Sequence, residues 1–245
     1  MKVYSILFVL LGFIMTSFFS EKSIFIRYEE RIEIHDFAGI DDNIKLRIQK
    51  AMSEKYSVRD LVQVGNKSCF QLAKKEFQPL VSVDVQSYDD EDYYWKDFSN
   101  NQLELLKYTN NAQYRVKDKS PTVDWELDFD AQRILGYNCN SAFAKNDCLL
   151  GTTFDTIKVW FTTEIPISNG PYLFHGLPGM ILKIEMSNWQ VKRTIVAKEI
   201  TLNKTAEIVI PTIKADKEVS FDELCQIKNE SQKKLRKRVK FNKNK

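Results

Sequence analysis

The 245-residue chain is poor in the residues that mark nucleotide and metal chemistry: it has eight glycines, two histidines and four cysteines. It contains no G-x-G-x-x-G and no G-K-[ST]. Both motifs place glycines between a strand and a helix N-terminus so that backbone N–H groups can face phosphate, so their absence argues against dinucleotide and P-loop sites. Gly-x-Ser-x-Gly is also missing, which removes the nucleophile elbow of α/β-hydrolases. No two cysteines have C-x-x-C spacing, and His35 and His175 are far apart, so no zinc-ligand pattern exists and no cofactor is expected. Beyond residue 20 no apolar run is long enough to span a bilayer. Neither an internal repeat nor a Pro/Ser-rich linker divides the rest, and one β-rich domain over residues 21–245 is expected.

What is present begins with an address. "MKVYSILFVLLGFIMTSFFSEKS" has a positive Lys2, an apolar core and a polar end, the pattern of a secretory signal peptide over residues 1–20. An uncleaved anchor is the alternative. Export to the periplasm, cell envelope or medium follows from the first reading. In an oxidising compartment four cysteines permit two disulfides. Cys139 and Cys148 are close enough to staple a hairpin, leaving Cys69 to meet Cys225; buried free thiols are the other reading. Charge is uneven. From Lys233 onward the tail carries eight Lys or Arg and no acid, while the formal net charge is +3, which leaves the remainder at −5. That is not the uniform basicity of a nucleic-acid coat. A solvated helix end is the simple account of the tail, and peripheral attraction to an anionic membrane surface is the rival.

Alternating apolar and polar residues recur along the chain, as in strands with one buried face. In "VDWELDF" the spacing sets Val123, Trp125, Leu127 and Phe129 on one side. "ILGYNCNSAF" does the same for Leu135, Tyr137, Cys139 and Phe143, and "IKVWFTTEIPI" for Ile157, Val159, Phe161, Ile165 and Ile167. Further strands are expected in "SIFIRYEERIEI", "RDLVQVG", "SCFQLA", "LVSVDVQ", "QYRVK", "MILKIEM", "VKRTIVAKEI" and "EIVI". With no βαβ rhythm, the fold class is mainly β (α+β): a large antiparallel curved sheet, as a half-barrel or open barrel. One short helix is expected near residues 40–53. A C-terminal helix begins at Ser220, whose spacing to Glu223 makes a capping box, and forms a basic helix and tail over 220–245. The acidic "YDDEDYYW", residues 88–95, reads as a loop.

The stretch "GPYLFHGLPGMILKIEM" concentrates glycine and proline before a strand, where a phosphate loop would need a helix. Gly170 and Pro171 can end one strand. Pro178–Gly179 suits the centre of a type II turn, with Gly179 at positive φ, and Gly176 adds a second permissive point. His175 is the one side chain there with catalytic chemistry, and Glu164 is the acid in sequence reach, which would make a hydrolase; a structural or ligand-contacting His175 is the favoured reading. Tyr172, Phe174, Trp160 and Trp189 could line a binding groove; a core role is the alternative.

"GYNCNSAF" followed by "VWFTTEIPISNGPYLFHGLPGMILKIE" resembles the signature of the GLPGLI family, exported proteins of Bacteroidota without an established activity. The resemblance implies export and an envelope location, and it carries over no catalytic residue. Gly176, Leu177, Pro178 and Gly179 are motif positions only, with Met180 and Ile181 where the family name has Leu and Ile. Three functions are therefore expected in competition: a non-enzymatic envelope protein holding an apolar or peptide ligand on its curved sheet, an interaction module docking on an outer-membrane complex, and the His175/Glu164 hydrolase.

Overall fold

The computed structural model describes residues 23–35, 41–53, 56–73, 92–144, 154–188, 191–203, 207–210 and 215–243. Their elements run β1 (Ser23–Ile34), α1 (Asp42–Ser53), β2 (Ser57–Val64), β3 (Lys67–Leu72), β4 (Tyr93–Asp97), β5 (Gln102–Thr109), β6 (Ala112–Lys119), β7 (Trp125–Ile134), β8 (Tyr137–Ala144), β9 (Thr156–Thr162), β10 (Met180–Ser187), β11 (Val191–Leu202), β12 (Lys217–Val219) and α2 (Phe221–Lys243). The strands form one 12-stranded sheet in the order β12-β6-β5-β4-β3-β2-β1-β11-β10-β9-β8-β7. Only the β12–β6 pair is parallel. The mainly β, open architecture with two helices is the one expected from the alternation.

Chain connectivity forces this sheet to curl. β6 ends at Lys119 and β7 starts at Trp125, a span of at most about 20 Å for an extended chain. Ten strand-to-strand steps separate the two in the sheet, which would be about 48 Å if the sheet were flat. The flanks must therefore face each other across a concave side, although β7 and β12 end the sheet unjoined. Inward residues of the central strands, among them Ile24, Ile26, Tyr28, Leu61, Phe70, Tyr94, Ile184 and Ile195, are buried in a single core.

The structure alters several boundaries. "LVSVDVQ" and Trp189 lie outside the described residues. "EIVI" is irregular at 207–210, where no strand among the described residues pairs with it, and Val209 is exposed. Tyr93–Trp95, the end of the expected acidic loop 88–95, belong instead to β4, which pairs with β3 and β5, the aromatic residues supplying buried surface. Leu135 does not continue a strand. With Gly136 it makes the turn between β7 and β8, at φ values of 51° and 87°, as a two-residue hairpin turn with both centres left-handed requires. The α2 capping box forms: Ser220 N donates to Glu223 Oε2 at 2.7 Å, and Glu223 N donates to Ser220 Oγ at 3.2 Å.

The expected cysteine pairings do not form. Cys69 and Cys139 are buried free thiols, which burial pushes up to about 12 and about 11 respectively. Cys69 is on β3, three strand steps from β6, against which α2 packs. That is about 14 Å, where a disulfide needs Cα atoms within about 7 Å. Cys225 is disulfide-bonded, and the remaining cysteine, Cys148, lies outside the described residues.

Candidate functional site

The glycine-rich stretch is not a tight corner. Residues 163–179 connect β9 to β10 and cross the concave side of the sheet. In the strand order β4 is six steps from β9, yet the Tyr172 ring lies 5.1 Å from that of Tyr94 on β4 and 4.9 Å from that of Phe70 on β3, both edge-on. Tyr172, Leu173, Phe174 and Leu177 are at most 2% exposed. The curved sheet is thus filled by a plug made from its own chain. Of the residues expected to line a groove, Tyr172 and Phe174 are instead its filling, and Trp160 is a buried residue of β9 covered by Lys158 and Lys183.

Glycine serves this segment in two different ways. Gly176 has φ +94°, the left-handed region that glycine enters freely. Gly179 is not at positive φ, so the expected type II turn at Pro178–Gly179 is replaced by something else. A Cβ on Gly179 would stand 2.0 Å from the Thr162 carbonyl oxygen, and glycine is required there by close backbone approach. Gly170 is similarly tight against Ile181. Pro171 is buried, and its carbonyl accepts from Phe174 N at 3.2 Å.

The plug is pinned by polar residues that point inward from the sheet. Glu30 on β1 accepts from Arg59 Nε at 2.5 Å and from the Tyr172 hydroxyl at 2.5 Å, and Arg193 Nη1 lies 3.2 Å from it. Burial alone would raise the Glu30 carboxyl, but Arg59, Arg193 and the Tyr172 hydroxyl together hold it below the usual range. Tyr172 itself sits at φ 54°, strained for a bulky residue. Asn169 donates to Gln63 Oε1 at 2.7 Å. Its Oδ1 and the Gly170 carbonyl accept from Lys96 Nζ at 2.5 and 2.9 Å. The Tyr28 hydroxyl donates to the Ile181 carbonyl at 2.7 Å, where β10 begins.

His175 latches the seam where the flanks meet. Its Nε2 is 3.0 Å from Ser120 Oγ, its carbonyl accepts from Trp125 Nε1 at 2.8 Å, and its ring meets Phe98 edge-on. Ser120 and Trp125 bracket the short connector that closes the curl. A serine–histidine contact is half of a nucleophile–base arrangement, but Glu164 is engaged elsewhere, accepting from Asn138 N at 2.8 Å and Asn138 Nδ2 at 3.1 Å. Sequence proximity did not bring Glu164 to His175. Among the described residues no group of His, Cys, Asp and Glu could hold a metal ion.

Lys96 is wholly buried and lies among neutral acceptors. Burial pushes it down to about 7. His175 is lowered to about 4, first by its own burial and then by Lys96. The sign for Lys96 is that of a base with a depressed folded pKa: between pH 7 and its ordinary pKa the unfolded chain binds a proton that the folded chain does not. Taken alone this raises stability by roughly 2 kcal/mol from pH 7 to 9. The raised thiols of Cys69 and Cys139 oppose it from about pH 8 and the raised Tyr172 hydroxyl from about pH 9, since the unfolded chain then loses protons that the folded chain keeps. Urea midpoints should climb from pH 7 to 8 for the native chain and flatten toward pH 9, whereas for Lys96→Met they should fall over the same range. Parallel profiles for the two proteins would contradict this account.

A family model described as a protein of unknown function, Porph_ging, matches residues 145–183, a stretch that includes the whole plug. No curated protein matches. Two crystal structures of PNGF-II, in C2 and P21 space groups, are similar at 14% and 15% identity, each over 84% of this chain, with TM-scores of 0.47 and 0.48. The chain spans about a third of their length, 33% and 34%. An outer membrane lipoprotein-sorting protein domain from Vibrio parahaemolyticus is similar at 10% identity over 76% of this chain and 87% of its own, with a TM-score of 0.31.

Proposed function

We propose that this chain is an exported, non-catalytic interaction module of the cell envelope, of the GLPGLI type, acting through its outer surface. The observation that carries the reading is the filled interior: the concave side, where an apolar ligand would sit, is occupied by Tyr172, Leu173, Phe174 and Leu177. The polar pins consist of inward-facing residues on β1, β2, β4 and β11, which favours a permanent plug over a displaceable one. The engagement of Glu164 by Asn138 weighs against the hydrolase. Cross-linking in intact cells should recover the chain in a complex larger than itself; recovery of monomer alone would refute the reading. A lipid that raised the melting temperature of the purified chain would instead favour the ligand-holding alternative.

The last turns of α2 include the basic run from Lys233. We assign it a peripheral contact with anionic lipid, each cation near such a surface contributing about 1 kcal/mol at low salt. Deleting residues 233–245 should abolish binding to phosphatidylglycerol vesicles; binding that persisted would remove the assignment.

A further inference from the structure

The β7–β8 hairpin carries three exposed apolar side chains: Leu127, Phe129 and Leu135 are 66%, 102% and 47% exposed. Alternation in the sequence would bury Leu127 and Phe129. They are exposed because β7 ends the sheet and because the strand bulges. Asp128 pairs with Ser141, but the next pair is Ala131 with Asn140, so Phe129 and Asp130 are extra residues on the outer strand.

A bulge on an edge strand usually blunts that edge or re-aims a side chain. This one is fastened from several directions. Ser141 Oγ donates to Asp128 Oδ2 at 3.0 Å, Lys158 Nζ reaches Asp128 at 2.8 Å and Asp130 at 2.9 Å, and Phe129 N donates to Asp128 Oδ1 at 2.9 Å. The backbone beneath the exposed phenylalanine is therefore set in advance, as an anchor residue at a binding surface requires. At the hairpin tip Leu135 has φ 51°, a conformation in which asparagine or glycine would be more stable. Strain of this kind in an exposed leucine favours a role for its side chain outside the fold.

The charges select the occupant. Glu126, Asp128 and Asp130 line the same strand, and Lys158 serves two of these carboxylates at once. Two copies of this edge laid side by side would set acid against acid, which is unfavourable between neighbouring strands. A basic strand would be drawn to it. Building on the interaction-module reading, we propose that β7 is a docking edge for an extended segment of a partner protein in which apolar residues alternate with Lys or Arg. The segment adds to the sheet as a further strand, its apolar side chains covering Leu127 and Phe129 and its cations meeting the acids.

The test uses the full chain and two labelled nine-residue peptides, one alternating valine with lysine and the other valine with glutamate. The lysine peptide should bind saturably, slow amide exchange across residues 125–131, and lose at least tenfold in affinity with Phe129→Asp, a change at a solvent-exposed position that should leave the melting temperature unaltered. Leu127→Ser is the second variant, should the first perturb folding. No saturable binding of the lysine peptide, equal binding of the glutamate peptide, or indifference to both variants would overturn the proposal. So would a dimer of the free chain in sedimentation that Phe129→Asp dissolves, because the occupant would then be a second copy. In cells, a photo-cross-linker at position 129 should capture a protein. Adducts from a cross-linker at Ile44, an exposed apolar residue of α1, but none from 129 would overturn this inference alone, whereas no adduct from any position would overturn the interaction-module reading with it.

Discussion

Glu30→Ala should destabilise the protein by roughly 3–5 kcal/mol, the usual cost of removing one side of a buried ion pair. Arg59 and Glu30 are 1% and 3% exposed, and Arg193 and the Tyr172 hydroxyl converge on the same carboxylate. Truncation leaves two guanidinium groups near one another with no anion between them, and it releases the hydroxyl that orients the plug. Glu30→Gln keeps an acceptor but removes the charge, so most of the loss should remain. Adding Arg59→Met to Glu30→Leu should recover a large part of it, because replacing both members of a buried pair by apolar residues is often close to neutral. Urea unfolding at pH 7 would measure all three. A Glu30→Ala variant within 1 kcal/mol of the native chain would mean that the plug is not held in this way. The network also makes the fold sensitive to acid: with its folded pKa lowered, Glu30 contributes stability above the ordinary glutamate range that is lost as pH falls through the folded value.

Gly179→Ala is the second large effect, at roughly 3 kcal/mol or more. The added Cβ would meet the Thr162 carbonyl oxygen at 2.0 Å and its carbon at 2.6 Å, both backbone atoms at the end of β9, so relief requires β9 and β10 to part. Gly136→Ala is the control. Its φ of +87° makes alanine strained, but nothing lies within 4 Å of the new Cβ, so a cost of only about 1–2 kcal/mol is expected. Asparagine distinguishes the two causes, since it tolerates the left-handed region but brings the same Cβ. Gly136→Asn should be mild and Gly179→Asn as severe as alanine. If asparagine at 179 were mild, conformational freedom rather than backbone approach would be the reason for glycine there.

Much of this fold was legible because a strand with one buried face writes its geometry into every second residue. The parity of Ile24, Ile26 and Tyr28 even points to Glu30 as an inward position, and that of Leu61 to Arg59 and Gln63. These charged and polar residues on the apolar face were the available sign of the pins, but their common target, a segment over a hundred residues away, left no local mark. Lys96 was hidden for a related reason: "YDDEDYYW" has the composition of a loop, and its aromatic end becomes a strand only when β3 and β5 flank it. The plug was misjudged because glycine and proline report local bending and not where the chain between them goes. Edge exposure was equally silent. "VDWELDF" alternates as faithfully as the central strands, and it is its place at the end of the sheet, together with the bulge at Phe129 and Asp130, that leaves Phe129 in water.

The position of β1 bears on how the sheet assembles. The first described strand lies in the middle of the sheet, between β2 and β11, and Ile24 pairs with Leu202. One of its two neighbours is therefore the eleventh of the twelve described strands in chain order. Contacts so distant in sequence are slow to form, and the two halves of the sheet cannot join until β11 is in place. Until then the half built from β1 to β6 and the half built from β7 to β11 lack their common seam, and the joining of the two is the step expected to limit the rate of folding.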